Sequence, residues 1–331
     1  NDFEYKKLLK SKATIANHSN RSDMDWALND IFLFMKSQLC TKYEKQYVDA
    51  KAGQTLACFQ HMILVKFAPY CRYMEALIRR QLPEEIYIHS NKNFDDLNEW
   101  VIKFFKNDIC VESDYEAFDA SQDEYIVAFE IAMMEDMGMP NWFINEYIDL
   151  KCTLGCKLGH FAIMRFTGEF CTFLFNTMPN MAFTFCRYEW ERGQPIAFAG
   201  DDMCALNNLQ VTDKFDEVFE KISLKAKVIR TEVPMFCGWR LSRFGIIKEP
   251  ELIYNRFMVA KERGNIQECL ENYAIELSYA YSLGERLYLV LKSEEQIEYH
   301  QSVVRFVVQN LGKLKTKVKH LYSDQCDGQI R

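Results

Sequence analysis

The sequence PIAFAGDDMCAL, from Pro195 to Leu206, predicts a β-hairpin that carries two carboxylates at its tip. Two short apolar runs of strand-forming residues flank Gly200, and a glycine at this place favours a tight turn. Asp201 and Asp202 are adjacent at that turn, where their charges repel each other unless a cation neutralises them. Taken alone, the stretch fits an exposed acidic turn as well as one half of a metal site.

A second carboxylate pair precedes the hairpin, in the sequence DYEAFD. Asp114 follows a predicted strand over Ile109–Ser113, and Asp119 comes shortly after it, before a helix. A strand end is rigid enough to aim a carboxylate, so Asp114 and Asp201 can face each other across one sheet. Such a pair can hold two Mg²⁺ ions roughly 3.5–4 Å apart, with phosphate oxygens and water as further ligands. The alternative is a set of unrelated helix-capping aspartates.

The sequence TGEFCTFLFNT, from Thr167 to Thr177, combines a loop with the start of an apolar helix. Gly168 favours a flexible loop, and Thr172 and Asn176 lie on one face of the predicted helix. Polar side chains on an otherwise apolar helix need hydrogen-bond partners. Either they bond back to carbonyls of their own helix, or they form a hydrogen-bonding surface for a ribose.

The composition predicts a packed globular chain. The 331 residues are 49% hydrophobic and carry a net charge of −7, and no run of apolar residues is long enough to predict a membrane span. The chain starts NDFEYKKLLK without methionine, so we expect a piece of a longer protein. Its twelve cysteines form no CxxC pair, which favours free thiols in a reducing compartment.

Positive charge is concentrated in two segments, although the chain as a whole is acidic. Residues 36–80 hold eight Lys or Arg against three acidic residues, and lysines alternate from Lys313 to Lys319. Basic segments on both sides of an acidic centre favour contact with nucleic acid, while a solvated surface is the ordinary alternative.

The order of predicted elements favours an α+β fold. From residue 107 the pattern reads strand-helix-helix-strand-strand-helix-strand, followed by helices alone. This order is typical of an antiparallel sheet covered by helices, with a helical end domain. The sequence SQDE at Ser121 predicts a capping box at the start of one helix. Further helices are predicted over 26–35, 71–81, 94–106, 170–191 and 212–225.

In order and spacing, these motifs resemble those of the RNA-dependent RNA polymerases of positive-strand RNA viruses. DYEAFD resembles their motif A, TGEFCTFLFNT motif B, AGDDM motif C and SLKAKVIR motif D, and FCGW resembles the turn that follows. AKAGQTLACF, RFTGEF and FCGWRLS look most like the replicases of plant flexiviruses and tymoviruses, within the alphavirus-like supergroup. The resemblance covers about residues 36–245.

The resemblance implies a right-hand polymerase fold, with an antiparallel palm sheet covered by helices, fingers and a helical thumb. Residues 1–106 would form part of the fingers and lead-in helices, and 107–245 the palm, with a finger insertion near 151–168. Residues 246–331 would form the thumb, and Lys313–Lys319 would lie near duplex RNA.

The resemblance also implies which residues take part in catalysis. Asp114 and Asp201 would ligate Mg²⁺, with Mn²⁺ as an alternative ion, and Asp202 would assist them. Lys227, or else Lys225, would protonate the leaving pyrophosphate.

Nucleotide binding would involve residues in motifs A and B and in motif F, which in the family is a basic strand of the fingers and is matched here around Lys42 and Lys51. They are Asp119, Thr172 and Asn176 at the ribose 2′-hydroxyl, Gly168 in the motif B loop, and Lys42 and Lys51 at the triphosphate. The arginine that often follows these lysines in the family is missing, since Leu56 stands there. Arg72, Arg79 and Arg80 are the candidates to replace it.

The function implied is RNA-templated RNA synthesis from NTPs by two-Mg²⁺ nucleotidyl transfer, with pyrophosphate release, in viral genome replication and transcription. The partners implied are template and product RNA, NTPs, and capping and helicase domains on the same polyprotein. The expected location is the host cytoplasm, in replication complexes that attach to membranes, which this chain would contact only indirectly. The sequence contains no P-loop GxxxxGK[ST], so a helicase would lie outside it.

Two other functions fit part of the pattern. The first is another two-metal palm enzyme, such as a reverse transcriptase or a nucleotide cyclase. Asp119 disfavours a reverse transcriptase, which usually carries a bulky aromatic residue there, and the basic segment disfavours a cyclase. The second is a non-catalytic RNA-binding scaffold with a polymerase-like fold, which is disfavoured because all the expected carboxylates are present.

Overall fold

The computed structural model of the chain describes residues 27–35, 55–106 and 109–321. Lys42 and Lys51 lie outside this part of the chain. The first described strand is Phe32–Met35 (β1), which pairs antiparallel with Thr55–Cys58 (β2). The prediction of a helix over 26–35 is therefore wrong for the residues of this range that the structure describes. A short apolar run fits a strand as well as a helix, and here the pairing with β2 decides.

A mixed five-stranded sheet forms the centre of the fold. In spatial order its strands are Ala226–Thr231 (β11), Cys110–Tyr115 (β4), Asp202–Ala205 (β9), Ile196–Ala199 (β8) and Ile86–Ile88 (β3). Neighbouring strands are antiparallel except β8 and β3, which are parallel. The sheet is therefore mixed, not purely antiparallel as expected. The parallel strand β3 was not predicted, because its three residues are too few to show a pattern in the sequence.

Five helices of the described part precede or cover this sheet. They are His61–Gln81 (α1), Phe94–Phe104 (α2), Glu124–Asp136 (α3), Asn141–Thr153 (α4) and Thr172–Arg187 (α5). Alternate strand residues face opposite sides of the sheet. Ala197 and Cys204 pack with Trp100 of α2, while Phe198 and Met203 belong to a cluster that includes the end of α5. Apolar residues of α1, α4 and α5 form a separate core cluster.

Helix α3 begins at Asp123, not at the expected capping box of Ser121. Asp123 Oδ1 accepts hydrogen bonds from the backbone N–H groups of Tyr125 and Ile126, and its Oδ2 accepts one from Ser223. The Ser121 hydroxyl instead donates to a carbonyl in the turn before the helix. The predicted capping residue is therefore two positions too early, because the Ser121 side chain is hydrogen-bonded within the preceding turn.

Two helices are shorter than predicted, and a pair of short strands explains where the first of them ends. Tyr188–Glu189 (β7) pairs with Gln210–Val211 (β10), so α5 ends at Arg187 rather than at residue 191. The helix after β10 is Asp216–Lys221 (α6) and is shorter at both ends than the expected 212–225. A further short pair joins Gly155–Cys156 (β5) to Gly159–His160 (β6).

The C-terminal part contains a small antiparallel sheet and a helical region. The sheet consists of Met235–Phe236 (β12), Trp239–Ser242 (β13) and Gly245–Ile247 (β14). The helices are Pro250–Glu262 (α7), Ile266–Ser282 (α8), Arg286–Leu291 (α9) and Glu294–Gln309 (α10), followed by 3₁₀ turns at Leu311–Lys313 and Lys319–Leu321. Asp95 of α2 accepts a hydrogen bond from the Tyr279 hydroxyl (2.8 Å) and contacts His320 (2.7 Å), which ties this region to the sheet. No helix in the described ranges is long and apolar enough to cross a membrane.

The cysteines differ from expectation at one place. The structure joins Cys71 of α1 to Cys171, the residue before α5, whose Cα atoms are 5.9 Å apart. The other cysteines of the described part are free. The expectation of free thiols throughout is therefore wrong, because α1 packs against the start of α5 and brings these two side chains together.

The capping role of Asp123 can be tested with Asp123→Ala. The change leaves three backbone N–H groups without their acceptor, so we expect the free energy of unfolding to fall by about 1–2 kcal/mol. Ser121→Ala is the matched control and should cost less than about 0.5 kcal/mol. Urea unfolding monitored by circular dichroism measures both, and equal losses would contradict the cap assignment.

Candidate active site

Asp114 and the aspartates of the hairpin lie on neighbouring strands. Asp114 is within β4, where Lys227 of β11 is its cross-strand neighbour on one side. On the other side β4 pairs with β9, with Glu112 opposite Cys204. Because these two strands are antiparallel, Asp114, two residues beyond Glu112, lies toward the same end of the strand pair as Asp202, the first residue of β9.

The predicted hairpin has a two-residue turn of Gly200 and Asp201. Ala199 pairs with Asp202 across the hairpin, and Gly200 has a positive φ of 63°. Asp201 is therefore at the tip, whereas Asp202 belongs to the strand. The Asp202 carboxylate accepts a hydrogen bond from the backbone N–H of Cys237 at 2.5 Å. The second aspartate thus holds the FCGW turn.

Glu112, two residues before Asp114 on β4, makes a similar contact. Its Oε1 accepts a hydrogen bond from the backbone N–H of Met235 at 2.5 Å. Burial raises the pKa of the Glu112 carboxyl, this hydrogen bond opposes the rise, and the charge of Asp202 adds to it. Two carboxylates of the central sheet therefore anchor β12 and the turn after it.

Helix α5 fixes the hairpin turn through two polar side chains. The backbone N–H of Gly200 donates to the Thr177 hydroxyl at 2.9 Å. Asn180, which is fully buried, donates from Nδ2 to the carbonyls of Gly200 (2.9 Å) and Asp202 (3.0 Å). Its Oδ1 accepts from the Tyr115 hydroxyl at 2.8 Å, which links the same amide to β4. Sequence reasoning missed Asn180 and Tyr115, although Asn180 follows Asn176 by one helical turn on an apolar helix.

Asp119 is bonded on both carboxylate oxygens. Asn176 Nδ2 donates to Oδ1 at 2.9 Å, and the Thr167 hydroxyl donates to Oδ2 at 2.9 Å. Thr172, which the resemblance puts beside this pair, donates instead to the carbonyl of Glu169 at 2.5 Å. The structure therefore brings Asp119 and Asn176 together with Thr167, while Thr172 closes the loop by local bonding.

Gly168 lies where the loop before α5 touches β2. Its φ is +98°, and a Cβ atom at this position would be 2.5 Å from the Ala57 carbonyl oxygen. The backbone N–H of Ala57 donates to the Thr167 carbonyl at 2.8 Å. Both the backbone conformation and the close approach require glycine here.

The carboxylates fit a hard divalent cation. Asp201 sits at the solvent-exposed tip, but the surrounding protein partly buries it, which raises its pKa, and the charge of Asp119 raises it further. A cation at this place would relieve that cost. Within the described residues no group of three or more His, Cys, Asp or Glu side chains could hold a metal by itself. Mg²⁺ usually takes one or two carboxylates and obtains its remaining ligands from substrate phosphates and water, so a magnesium site does not require a larger cluster of protein side chains.

A family model for RNA dependent RNA polymerase matches residues 2–246 of the chain. The chain belongs to this family. It is 76% identical over 325 residues to the RNA replication polyprotein of Citrus leaf blotch virus, covering 98% of this chain and 17% of that protein. It is 56% identical over 323 residues to an RNA-directed RNA polymerase of Apple chlorotic leaf spot virus, with coverages of 98% and 17%. It is 52% identical to the RNA replication protein of Potato virus S, with coverages of 98% and 91%.

The chain thus spans about a sixth of the first two relatives, which are large replication proteins. Enzymes of this polymerase family use divalent metal ions in general. The acidic hairpin and the strand beside it are the carboxylate-bearing elements that such ions would require.

The two lysines of the segment SLKAKVIR, Lys225 and Lys227, differ in their surroundings. Lys225 donates to the carbonyl of Phe219 at 2.6 Å and so caps the end of α6. Lys227 is exposed on β11 beside Asp114, and its Nζ is 3.8 Å from Glu116. Of the two lysines, Lys227 is thus the one that lies opposite Asp114 and is exposed to solvent.

The arginines named as replacements in motif F lie on α1. Arg79 donates to the Ser90 hydroxyl at 2.9 Å and pairs with Glu75 at 3.5 Å, so its guanidinium is held against the protein. Partial burial lowers the pKa of Arg72, and Glu75 opposes that shift. Arg80 is exposed at the end of the helix.

The contact at Gly168 can be tested with Gly168→Ala. The added methyl would meet the Ala57 carbonyl and force the loop off β2, so we expect a loss of about 3 kcal/mol in unfolding free energy. Gly264→Ala is the control, since Gly264 has a φ of +71° but no atom near the added Cβ. It should cost about 1 kcal/mol from backbone strain alone. Thermal unfolding measures both, and equal losses would contradict the close approach.

Because the folded-state pKa of Asp201 is raised, its charged form destabilises the fold above that pKa, and the cost disappears as the pH falls through it. We therefore expect Asp201→Asn to raise the unfolding temperature slightly at pH 7 without divalent ions, and the gain to shrink toward acidic pH. Added Mg²⁺ should stabilise the wild type more than the variant. Asp213→Asn, on the exposed surface, is the control and should show neither effect. A lower unfolding temperature for Asp201→Asn would contradict the electrostatic argument.

Proposed function

We propose that this chain catalyses RNA-templated RNA synthesis, transferring nucleotidyl groups from NTPs to an RNA 3′ end with release of pyrophosphate, in replication and transcription of a viral genome. The observation that carries the proposal is the placement of Asp114 on β4 and Asp201 on the hairpin of the adjacent β9. The family membership and the relatives that are named as replication proteins support the same conclusion.

In this proposal Asp114 and Asp201 hold Mg²⁺, or Mn²⁺ in its place. The ions would supply an activated 3′-hydroxyl and charge stabilisation of the leaving pyrophosphate. Asp202 assists by holding the FCGW turn beside the hairpin through Cys237. Lys227 donates a proton to the pyrophosphate oxygen from its exposed position on β11.

Nucleotide selection falls to Asp119 and Asn176. Each oxygen of the Asp119 carboxylate accepts one hydrogen bond within the protein and keeps a lone pair for a substrate hydroxyl. Thr172 supports them indirectly by closing the motif B loop at Glu169, and Gly168 lets that loop rest on β2. Lys42 and Lys51, outside the described residues, would bind the triphosphate.

We infer a right-hand arrangement for these parts. The described residues of 1–106 would contribute to the fingers, 107–245 to the palm with an insertion near 151–168, and 246–321 to the thumb. The sheet order supports adding Ile86–Ile88 to the palm, because β3 pairs with β8. Template and product RNA and NTPs would be the partners, and the length of the relatives supports further replicase domains on the same protein.

The proposal predicts that Asp114→Asn and Asp201→Asn each reduce nucleotide incorporation at least about 10³-fold, because each removes a ligand of the metal pair. Primer extension on homopolymer RNA with Mg²⁺ measures the loss, and circular dichroism verifies folding. Asp213→Asn is the exposed control and should extend as the wild type does. Folded variants that extend normally would contradict the proposal.

Substrate choice separates the alternatives in the same assay. An RNA polymerase extends with NTPs, a reverse transcriptase extends with dNTPs, and a scaffold binds RNA without extension. The carboxylate bonded to Asn176 favours the first, because it can accept a 2′-hydroxyl proton where a bulky side chain would exclude it.

A further inference from the structure

Arg165 is a buried arginine that sequence reasoning did not single out. It is 1% exposed and lies immediately before the motif B loop. Its guanidinium contacts Glu130 of α3, Glu169 of the loop (3.2 Å) and the Tyr147 hydroxyl of α4 (3.5 Å). Burial by itself lowers the pKa of Arg165, but the carboxylates of Glu130 and Glu169 outweigh this and raise it, so the group stays charged.

The remaining donors of Arg165 point to the nucleotide-selecting pair. Nε donates to Asn176 Oδ1 at 3.2 Å, and the backbone N–H donates to the Asp119 carbonyl at 3.2 Å. Nη2 also donates to the carbonyl of Phe175 at 3.4 Å. That carbonyl lacks its usual partner four residues later in the helix, because Pro179 has no N–H. Four other groups therefore hold the guanidinium in place while its Nε bonds to Asn176. They are Glu130, Tyr147, Glu169 and the Phe175 carbonyl.

The chemistry of the two neighbours fixes how the Asn176 amide is oriented. A guanidinium has only donors, so the amide atom that faces it must be the oxygen. An ionised carboxylate has only acceptors, so the amide atom that faces Asp119 must be the nitrogen. The opposite orientation would set donor against donor and acceptor against acceptor. Arg165 therefore makes one of the two amide orientations the stable one.

We propose that Arg165 is a positioning residue for ribose selection, which holds the Asn176 amide with its Nδ2 toward Asp119 and the 2′-hydroxyl of the incoming nucleotide. The inference rests on the proposed function. In this arrangement Asn176 donates to the 2′-oxygen, and Asp119 accepts the 2′-hydroxyl proton. A deoxyribose leaves both groups unpaired, which is the physical basis of discrimination.

The test measures kcat/KM for NTP and dNTP incorporation by the chain on a primed RNA template. We expect Arg165→Lys to lower the NTP-over-dNTP ratio about five- to tenfold, the equivalent of one misplaced hydrogen bond. Lysine keeps the charge but cannot donate to Asn176 and to the carboxylates in the fixed geometry of a guanidinium. If Arg165 acts through Asn176, the same change in an Asn176→Ala background should lower the ratio no further.

Two further variants separate positioning from stability. Lys151→Met removes the other cation of this cluster, whose Nζ donates to Glu169 and to the Met164 carbonyl rather than to Asn176, and should leave the ratio unchanged. Glu130→Gln combined with Arg165→Met removes a buried ion pair together, a change that proteins often tolerate, and should lower the ratio as Arg165→Lys does. This double variant decides the matter where Arg165→Lys does not fold.

An unchanged ratio in a folded Arg165 variant, or an equal fall with Lys151→Met, would overturn this inference while NTP incorporation by the wild type still supports the proposed function. A further fall in the Asn176→Ala background would also overturn it. If the wild-type chain incorporates no NTP at all, the proposed function fails and the inference fails with it.

Discussion

The candidate site depends on the hydrogen bonds of a single buried amide. Asn180 Nδ2 bonds to the carbonyls on both sides of Asp201, and its Oδ1 accepts from Tyr115, the neighbour of Asp114. The two aspartates proposed as metal ligands are therefore both positioned relative to one rigid group on α5. A buried amide with these partners resists movement, because any shift leaves polar atoms unpaired where no water can replace them.

Charge is distributed between two layers around this helix. Beneath the motif B loop, Glu130 and Glu169 are balanced by Lys151 and Arg165, and all four side chains are buried. A buried cluster of this kind is tolerated only when its charges are paired and hydrogen-bonded. Nearer the solvent, partial burial and the charge of Asp119 raise the pKa of Asp201. The protein thus neutralises the inner layer itself, whereas at Asp201 neutralisation would come from the cation of the proposed function.

Local patterns predicted some elements and missed others for identifiable reasons. The hairpin around Gly200 was predicted because two apolar runs of strand-forming residues and a glycine turn are signals that act over a few residues. The strand Ile86–Ile88 was missed because its three residues acquire meaning only through pairing with β8. Thr172 was preferred to Thr167 because helical spacing suggested it, whereas the structure uses Thr172 to close a loop. Arg165 was missed because its partners come from four separate segments.

A proline in α5 shows how a residue unfavourable to a helix can serve a site. Pro179 cannot bond to the carbonyl of Phe175, and in an apolar core that carbonyl would be costly to leave unpaired. Arg165 supplies the missing donor, and the same guanidinium then has its Nε within reach of Asn176. The gap in the helical ladder and the orientation of the Asn176 amide are therefore two consequences of one packing arrangement. A helix without this gap would offer Arg165 one acceptor fewer and would hold the amide less firmly.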